Sequence, residues 1–159
     1  MTVSYRSFNE CCVEIQNSTR EYIGHCEVFE YDTNCIEVAL IHAKVIGILI
    51  YGEPSSYYKN VVVGKPVMYL RHINVLKEHR RQGIATSLIE QTLIRLQNLG
   101  LFVEIKMPRE GEPDIYRLIK GLNKVKELSP YSLEKETYLR YIIEHACNGA
   151  RGDKKTVSP

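Results

Sequence analysis

The sequence has no tryptophan, no C-x-x-C pair and no long apolar run. Each absence excludes something. Without roughly 18 consecutive apolar residues there is no membrane-spanning helix to expect. The opening MTVSYRSFNE lacks the apolar core of a secretory leader. Net charge is nearly absent too: 21 basic residues against 19 acidic ones leave +2, too balanced for a protein that coats nucleic acid. The five cysteines, Cys11, Cys12, Cys26, Cys35 and Cys147, are odd in number and two are adjacent. That argues against a disulfide framework or a zinc site and for a reducing cytosol, with most of them serving as small core residues. What is present is ordinary for a globular chain: 159 residues, 44% hydrophobic and 25% charged. Low-complexity, collagen-like and disordered classes are excluded. The length suits one domain, with a core burying roughly two thirds of the unfolded chain's surface.

Hydrophobic patterning sets the expected elements. Thr2 to Arg6 alternates as a strand, and residues 8 to 30 carry apolar positions at Cys12, Ile15, Tyr22, Ile23 and Cys26 that suit one or two short helices. Ile36 to Ile41 and Val45 to Tyr51 are β-rich runs separated only by His42, Ala43 and Lys44, the pattern of a tight hairpin. Gly52-Glu53-Pro54-Ser55-Ser56 breaks the second run, and a polar loop with Tyr57 and Tyr58 follows. Val67 to Val75 is the next strand. The period then changes: Ile84, Leu88, Ile89, Thr92, Leu93 and Leu96 share one helical face, with Gly100 as the expected stop. Leu101 to Met107 is a strand, Asp114 to Lys120 a short helix ended by Gly121, and Lys124 to Leu128 and Thr137 to Ile143 two closing strands. The order is that of an α/β domain with a mixed sheet and helices on both faces, over residues 1–147. The polar tail 148–159 is expected to be disordered.

The stretch most suggestive of chemistry joins Val75 to the helix. Its loop reads Arg80-Arg81-Gln82-Gly83-Ile84-Ala85. A glycine there lets a ligand approach the backbone closely, and Ala85 keeps the next turn small. The first N–H groups of a helix have no intrahelical acceptor, and the dipole's positive end lies behind them, so the loop suits a pyrophosphate. Arg80 and Arg81 add charge for phosphates. A basic loop ahead of a core helix is also an ordinary surface feature. The loop is neither a Walker loop, which ends in G-K-[ST], nor a dinucleotide fingerprint, which needs more glycines.

R-R-Q-G-I-A resembles the R/Q-x-x-G-x-G/A signature of the GNAT superfamily of acyl-CoA-dependent N-acyltransferases, and Ile73-Asn74-Val75 sits where that family has its L-x-V strand end. The element order from about residue 35 to 144, with Val45-Ile46-Gly47 in the hairpin, is similar as well. The resemblance implies a mostly antiparallel, twisted sheet in which strands 67–75 and 101–107 splay apart to admit acetyl-CoA. It implies pantetheine contacts at Ile73, Asn74 and Val75, and pyrophosphate contacts at Arg80, Arg81, Gln82, Gly83, Ile84, Ala85 and Thr86. It also implies direct attack of a primary amine, of a small molecule or a protein, on the thioester. No metal is implied, and a homodimer is left open.

Such a reaction needs a neutral amine, an oxyanion donor and a proton for the leaving thiolate. The resemblance puts the oxyanion donor at a backbone N–H near Val75 and the proton source at a tyrosine four residues before a G-F. Here Tyr116 is five residues before Gly121, and Arg117 takes the expected place. One residue is about 100° of helix rotation. A lysine-like amine costs about 4 to 5 kcal/mol to neutralise at pH 7. The family's base positions align with Tyr69 and Arg71, neither of which is a base at neutral pH, so both are read as substrate-binding. Glu53 is the second-rank base. Strand alternation turns His72 to the opposite face from Tyr69 and Arg71, where a structural role suits it better. A guanidinium at Arg71 would suit an acceptor with an anionic group or a weakly basic amine. Two alternatives stay open: a non-catalytic module that binds acyl-CoA or a partner, and nucleobase modification. The second is suggested by a loose likeness of the G-x-P-S-S loop to the phage Mom-type branch, where Tyr57 and Tyr58 beside Lys59 could stack bases.

Overall fold

A computed structural model describes residues 2–52, 67–96, 100–106, 115–122, 125–133 and 135–144. Glu53, Tyr57, Tyr58, residues 107–114 and the tail 148–159 lie outside the described residues. The chain divides into two compact units, one of 1–52 with 70–91 and one of 53–69 with 92–159.

In the first unit, β1 (Val3–Ser7) pairs antiparallel with β2 (Ile36–Ile41), and β2 pairs antiparallel with β3 (Lys44–Gly52). The hairpin turn is tighter than expected. Lys44 already pairs with Ile41, which leaves His42 and Ala43 as the turn, and His42 adopts φ 56°. β4 (Val67–Val75) follows β3 in the order β1-β2-β3-β4. Gly47 lies against Asn74 and Val75 while Gly52 lies against Arg71, so β3 and β4 run in opposite directions.

Residues 8 to 30 form a 3₁₀ turn, Phe8–Glu10, and one helix, α1 (Val13–His25). Ile23 is fully buried and belongs to one buried cluster with Phe8, Ile36, Val38, Leu40, Val45, Ile48 and Ile50. The even-numbered residues of β2 and most of those from β3 thus face α1, as a period of two requires. Ile15, Tyr22 and Cys26 flank this cluster on α1, and the Arg20 guanidinium covers the Phe8 ring at 5.1 Å. On the other face lies α2 (Ile84–Leu96): the position a Gly47 side chain would take is 3.5 Å from Leu88 Cδ1. Ile84, Leu88, Ile89, Thr92 and Leu93 are buried, the face expected from the period.

In the second unit, β5 (Gly100–Lys106), β6 (Val125–Leu133) and β7 (Glu136–Glu144) pair antiparallel in the order β5-β7-β6. Gly100 opens β5, paired with Glu144. The closing strands are longer than expected. The first, expected to end at Leu128, continues through Ser129-Pro130 with a register shift between Leu128 and Tyr131. Pro130 has no N–H to give a ladder, and a bulge on an outer strand tolerates it. The Arg140 Nε donates to the Ser129 carbonyl at 2.8 Å beside the irregularity. α3 (Ile115–Lys120) ends at Gly121, whose N–H donates to the Arg117 carbonyl at 3.0 Å. Seven mostly antiparallel strands with helices make a mixed α/β fold, the class expected from the sequence.

Candidate active site

β4 runs out at Val75, and the chain turns through a 3₁₀ segment, Lys77–His79, into the basic loop. Two backbone conformations define that loop. Arg81 has φ 64° and Gly83 has φ 78°. Both are left-handed, which is costly for arginine and free for glycine. A Cβ on Gly83 would meet no protein atom within 4 Å, so the fold requires glycine here for conformation, not for lack of space. A run of residues that alternates in handedness turns successive N–H groups to one side and forms an anion-binding concavity. Strain at Arg81 next to it is the kind of local cost that functional loops carry.

The helix start adds to this concavity. Ser87 N–H donates to the Gly83 carbonyl at 2.9 Å, the first i→i−4 bond of α2. The N–H groups of Ile84, Ala85 and Thr86 then have no intrahelical acceptor. Arg80, Arg81, Gln82 and Gly83 are exposed, and Ala85 and Thr86 are partly exposed. Exposed backbone donors and flanking guanidinium charge give the stretch 80–86 the chemistry that suits an anion.

Three bonds from three directions hold the end of β4. Leu76 N–H donates to the Ile46 carbonyl of β3 at 2.8 Å. The Arg80 Nε donates to the Val75 carbonyl at 2.7 Å, so this arginine folds back on the strand and ties the loop to it. The Tyr22 hydroxyl, from α1, donates to Asn74 Oδ1 at 2.7 Å. Gly47 permits the close approach, since a Cβ there would stand 3.2 Å from the Asn74 carbonyl oxygen. Ile73 and Val75 are buried and Asn74 is half-buried. The structure thus brings Ile73, Asn74 and Val75 together with the 80–86 loop.

Tyr22 was legible in the sequence only as one apolar position of a helix, and its hydroxyl was not assigned a role. Burial holds its phenol well above the ordinary tyrosine range, with Cys26 raising it further, Arg80 opposing and Glu78 adding a smaller upward push. It therefore remains a donor at neutral pH. The Cys26 thiol, one helical turn on, is raised by burial as well. The nearest sequence signal for Tyr22 was its place beside Ile23 on the α1 face.

The other candidates are placed differently. Arg71 is exposed, and its Cδ lies 3.4 Å from the position of a Cβ on Gly52, so its stem runs along the end of β3. Tyr69 belongs to the second unit, half-buried and edge-on to Tyr138 with ring centroids 6.1 Å apart. Packing engages its ring, whatever its hydroxyl does. Tyr116 lies in the first turn of α3, and its side chain is outside the described part. Among the described residues, no group of three or more His, Cys, Asp or Glu side chains is arranged to hold a metal ion. No helix among them is long and apolar enough to cross a membrane.

Comparison with known proteins agrees with this geometry. The profile of the Acetyltransferase (GNAT) family matches residues 4–118. No curated protein sequence matches the chain. Among solved structures, the chain is similar to one from the NatC complex bound to Gag peptide and CoA, with 15% identity over 91% of this chain and 99% of that chain, at a TM-score of 0.59. It is similar to NAA60 from Arabidopsis thaliana in complex with a bisubstrate analogue, with 14% identity over 90% and 98%, at 0.57. It is also similar to the diaminobutyrate acetyltransferase EctA from Paenibacillus lautus in complex with L-2,4-diaminobutyric acid and coenzyme A, with 15% identity over 88% and 94%, at 0.56. At these identities the likeness is one of fold.

Proposed function

The chain belongs to the acetyltransferase (GNAT) family, whose activity is acyl transfer, and we propose that it moves the acetyl group of acetyl-CoA to a primary amine by direct attack. The observation that carries the reading is the left-handed pair Arg81 and Gly83 ahead of α2, which turns a run of backbone N–H groups outward at the end of β4. The described residues fit a phosphate-bearing donor: the loop is open, basic and rich in backbone donors.

In this reading Arg81, Gln82, Gly83, Ile84, Ala85 and Thr86 hold the pyrophosphate, and Ile73, Asn74 and Val75 align the pantetheine arm. The bound thioester supplies an activated acetyl group. A backbone N–H near Val75 stabilises negative charge on the carbonyl oxygen. Arg80 steadies that strand end through the Val75 carbonyl and adds positive charge. Tyr116 donates the proton to the leaving thiolate, and Glu53 accepts the proton of the amine. Arg71, exposed beside Gly52, favours an acceptor carrying an anionic group or a weakly basic amine. Tyr69 contributes to the acceptor wall. A cytoplasmic location would supply acetyl-CoA and keep the cysteines reduced.

The test is release of free CoA thiol by purified protein given acetyl-CoA and a panel of amines. Turnover with anionic or weakly basic amines is expected. Acetyl-CoA binding with no thiol release across a broad panel would instead make the protein a binding module. Equal rates with spermidine and with anionic amines would remove the role given to Arg71.

A further inference from the structure

Asn74 has one half of its side-chain amide committed and the other half open. Its Oδ1 accepts from Tyr22 at 2.7 Å, while among the described residues nothing accepts from its Nδ2, and the residue is half-buried. An amide held by its oxygen presents its two N–H donors in a fixed direction. Asn74 precedes Val75, whose carbonyl is held by Arg80, and Arg80 lies close enough to Tyr22 to act on its ionisation. Tyr22, Asn74, Val75 and Arg80 therefore form one group, continuous with the anion-binding loop.

We propose that Tyr22 is a positioning residue for the acyl-donor site, clamping the Asn74 amide so that Nδ2 donates to a carbonyl oxygen on the arm of the bound acyl donor. This rests on the acyl-CoA reading above and adds to it a side-chain contact and the helix that sets it. α1 is otherwise a packing element, and the Tyr22 hydroxyl is not needed for packing, since phenylalanine would fill the same volume. The bond orients a donor: without the phenol, the amide is free to turn its oxygen toward the ligand and repel the carbonyl it should bind. The adjacent guanidinium favours the same ligand chemistry, an oxygen with partial negative charge.

The experiment compares two probes by calorimetry on the protein, without amine: acetyl-CoA, which has the arm, and adenosine 3′,5′-bisphosphate, which has the 3′-phosphate and the inner 5′-phosphate of the nucleotide end but no arm. Tyr22→Phe and Asn74→Ala should each weaken acetyl-CoA binding about fivefold to tenfold and leave the bisphosphate unchanged. In the double variant the losses should not add, because both remove the same oriented donor. Acetyl-CoA affinity unchanged in Tyr22→Phe overturns the proposal. So does equal weakening of both probes, which would mean general damage to the site. If Tyr22→Phe does not fold, Asn74→Ala carries the same two-probe comparison. Failure of the wild-type protein to bind acetyl-CoA at all would overturn the acyl-CoA reading itself, a result distinct from either of these.

Discussion

Gly47→Ala adds one methyl group where three elements converge. A Cβ at that position lies 3.2 Å from the Asn74 carbonyl oxygen, 3.3 Å from Val75 Cγ2 and 3.5 Å from Leu88 Cδ1. Comfortable carbon contacts are about 3.5–4.0 Å, so the first two are too close. The closest atom is backbone, and that backbone cannot yield freely. Leu76 N–H is bonded to Ile46, the Val75 carbonyl to Arg80 and the Asn74 side chain to Tyr22. Overpacking of this kind costs about 1–3 kcal/mol, and replacing glycine by alanine returns about 0.4–1 kcal/mol through the unfolded chain. The net loss is about 1–2 kcal/mol, or a fall in Tm of about 3–6 °C for a chain of this size. Gly24→Ala is the matched control. It lies within α1 and a Cβ there meets nothing within 4 Å, so it should raise Tm by about 2–3 °C. Thermal unfolding of the two variants beside the wild type reads both signs. Acetyl-CoA affinity should fall in Gly47→Ala and stay level in Gly24→Ala, because only the first displaces the end of β4. If Gly47→Ala stabilised the protein as Gly24→Ala does, the close packing of β3 on the end of β4 would be refuted.

Three further outcomes are expected. Gly83→Ala should destabilise by about 1–2 kcal/mol from its left-handed φ alone. Arg81→Asn should be within about 0.5 kcal/mol of wild type and Arg81→Val clearly worse, because asparagine tolerates φ 64° and a β-branched residue does not; equal stability of the Asn and Val variants in urea titrations would contradict this. The Tyr22 phenol keeps its proton to higher pH in the fold than in the unfolded chain. Stability should therefore be fully present below about pH 10, the ordinary tyrosine value, and decline as pH rises beyond it. Tyr22→Phe should flatten that decline in urea titrations between pH 9 and 11, and an unchanged slope would count against it.

Much of the fold was legible because it is written in local period. The α2 face from Ile84 to Leu93 repeats at helical spacing, and its buried residues are the ones the spacing selects. Strands β2 to β5 needed only β-rich runs bounded by breakers. The differences lie at element ends. The strand expected over Lys124 to Leu128 runs on to Leu133 through a register shift between Leu128 and Tyr131, since proline is tolerated wherever its missing N–H has no ladder partner. Gly100, expected to follow the helix, also opens β5. Gly83 was read as room for a ligand, and its φ of 78° adds a conformational reason for glycine; the two reasons look alike in sequence.

The anion loop could be read because its chemistry is contiguous: two arginines, a glycine and a helix start within six residues. The group around Asn74 could not, because it is assembled from three distant parts of the chain. Strand alternation does assign Asn74 to the face opposite Val75, and periodicity does put Tyr22 beside Ile23 on α1. Neither says that those faces meet, which depends on the β2–β3 hairpin placing α1 over one side of the sheet and on Gly47 letting β3 close on β4. Bonds spanning 52 positions in the chain carry no local signature. They are nonetheless what fixes donors in advance, since an end of β4 held from α1, β3 and the loop need not reorganise when charge develops beside it. The more rigid the strand end is made by remote partners, the less of its function its own residues disclose.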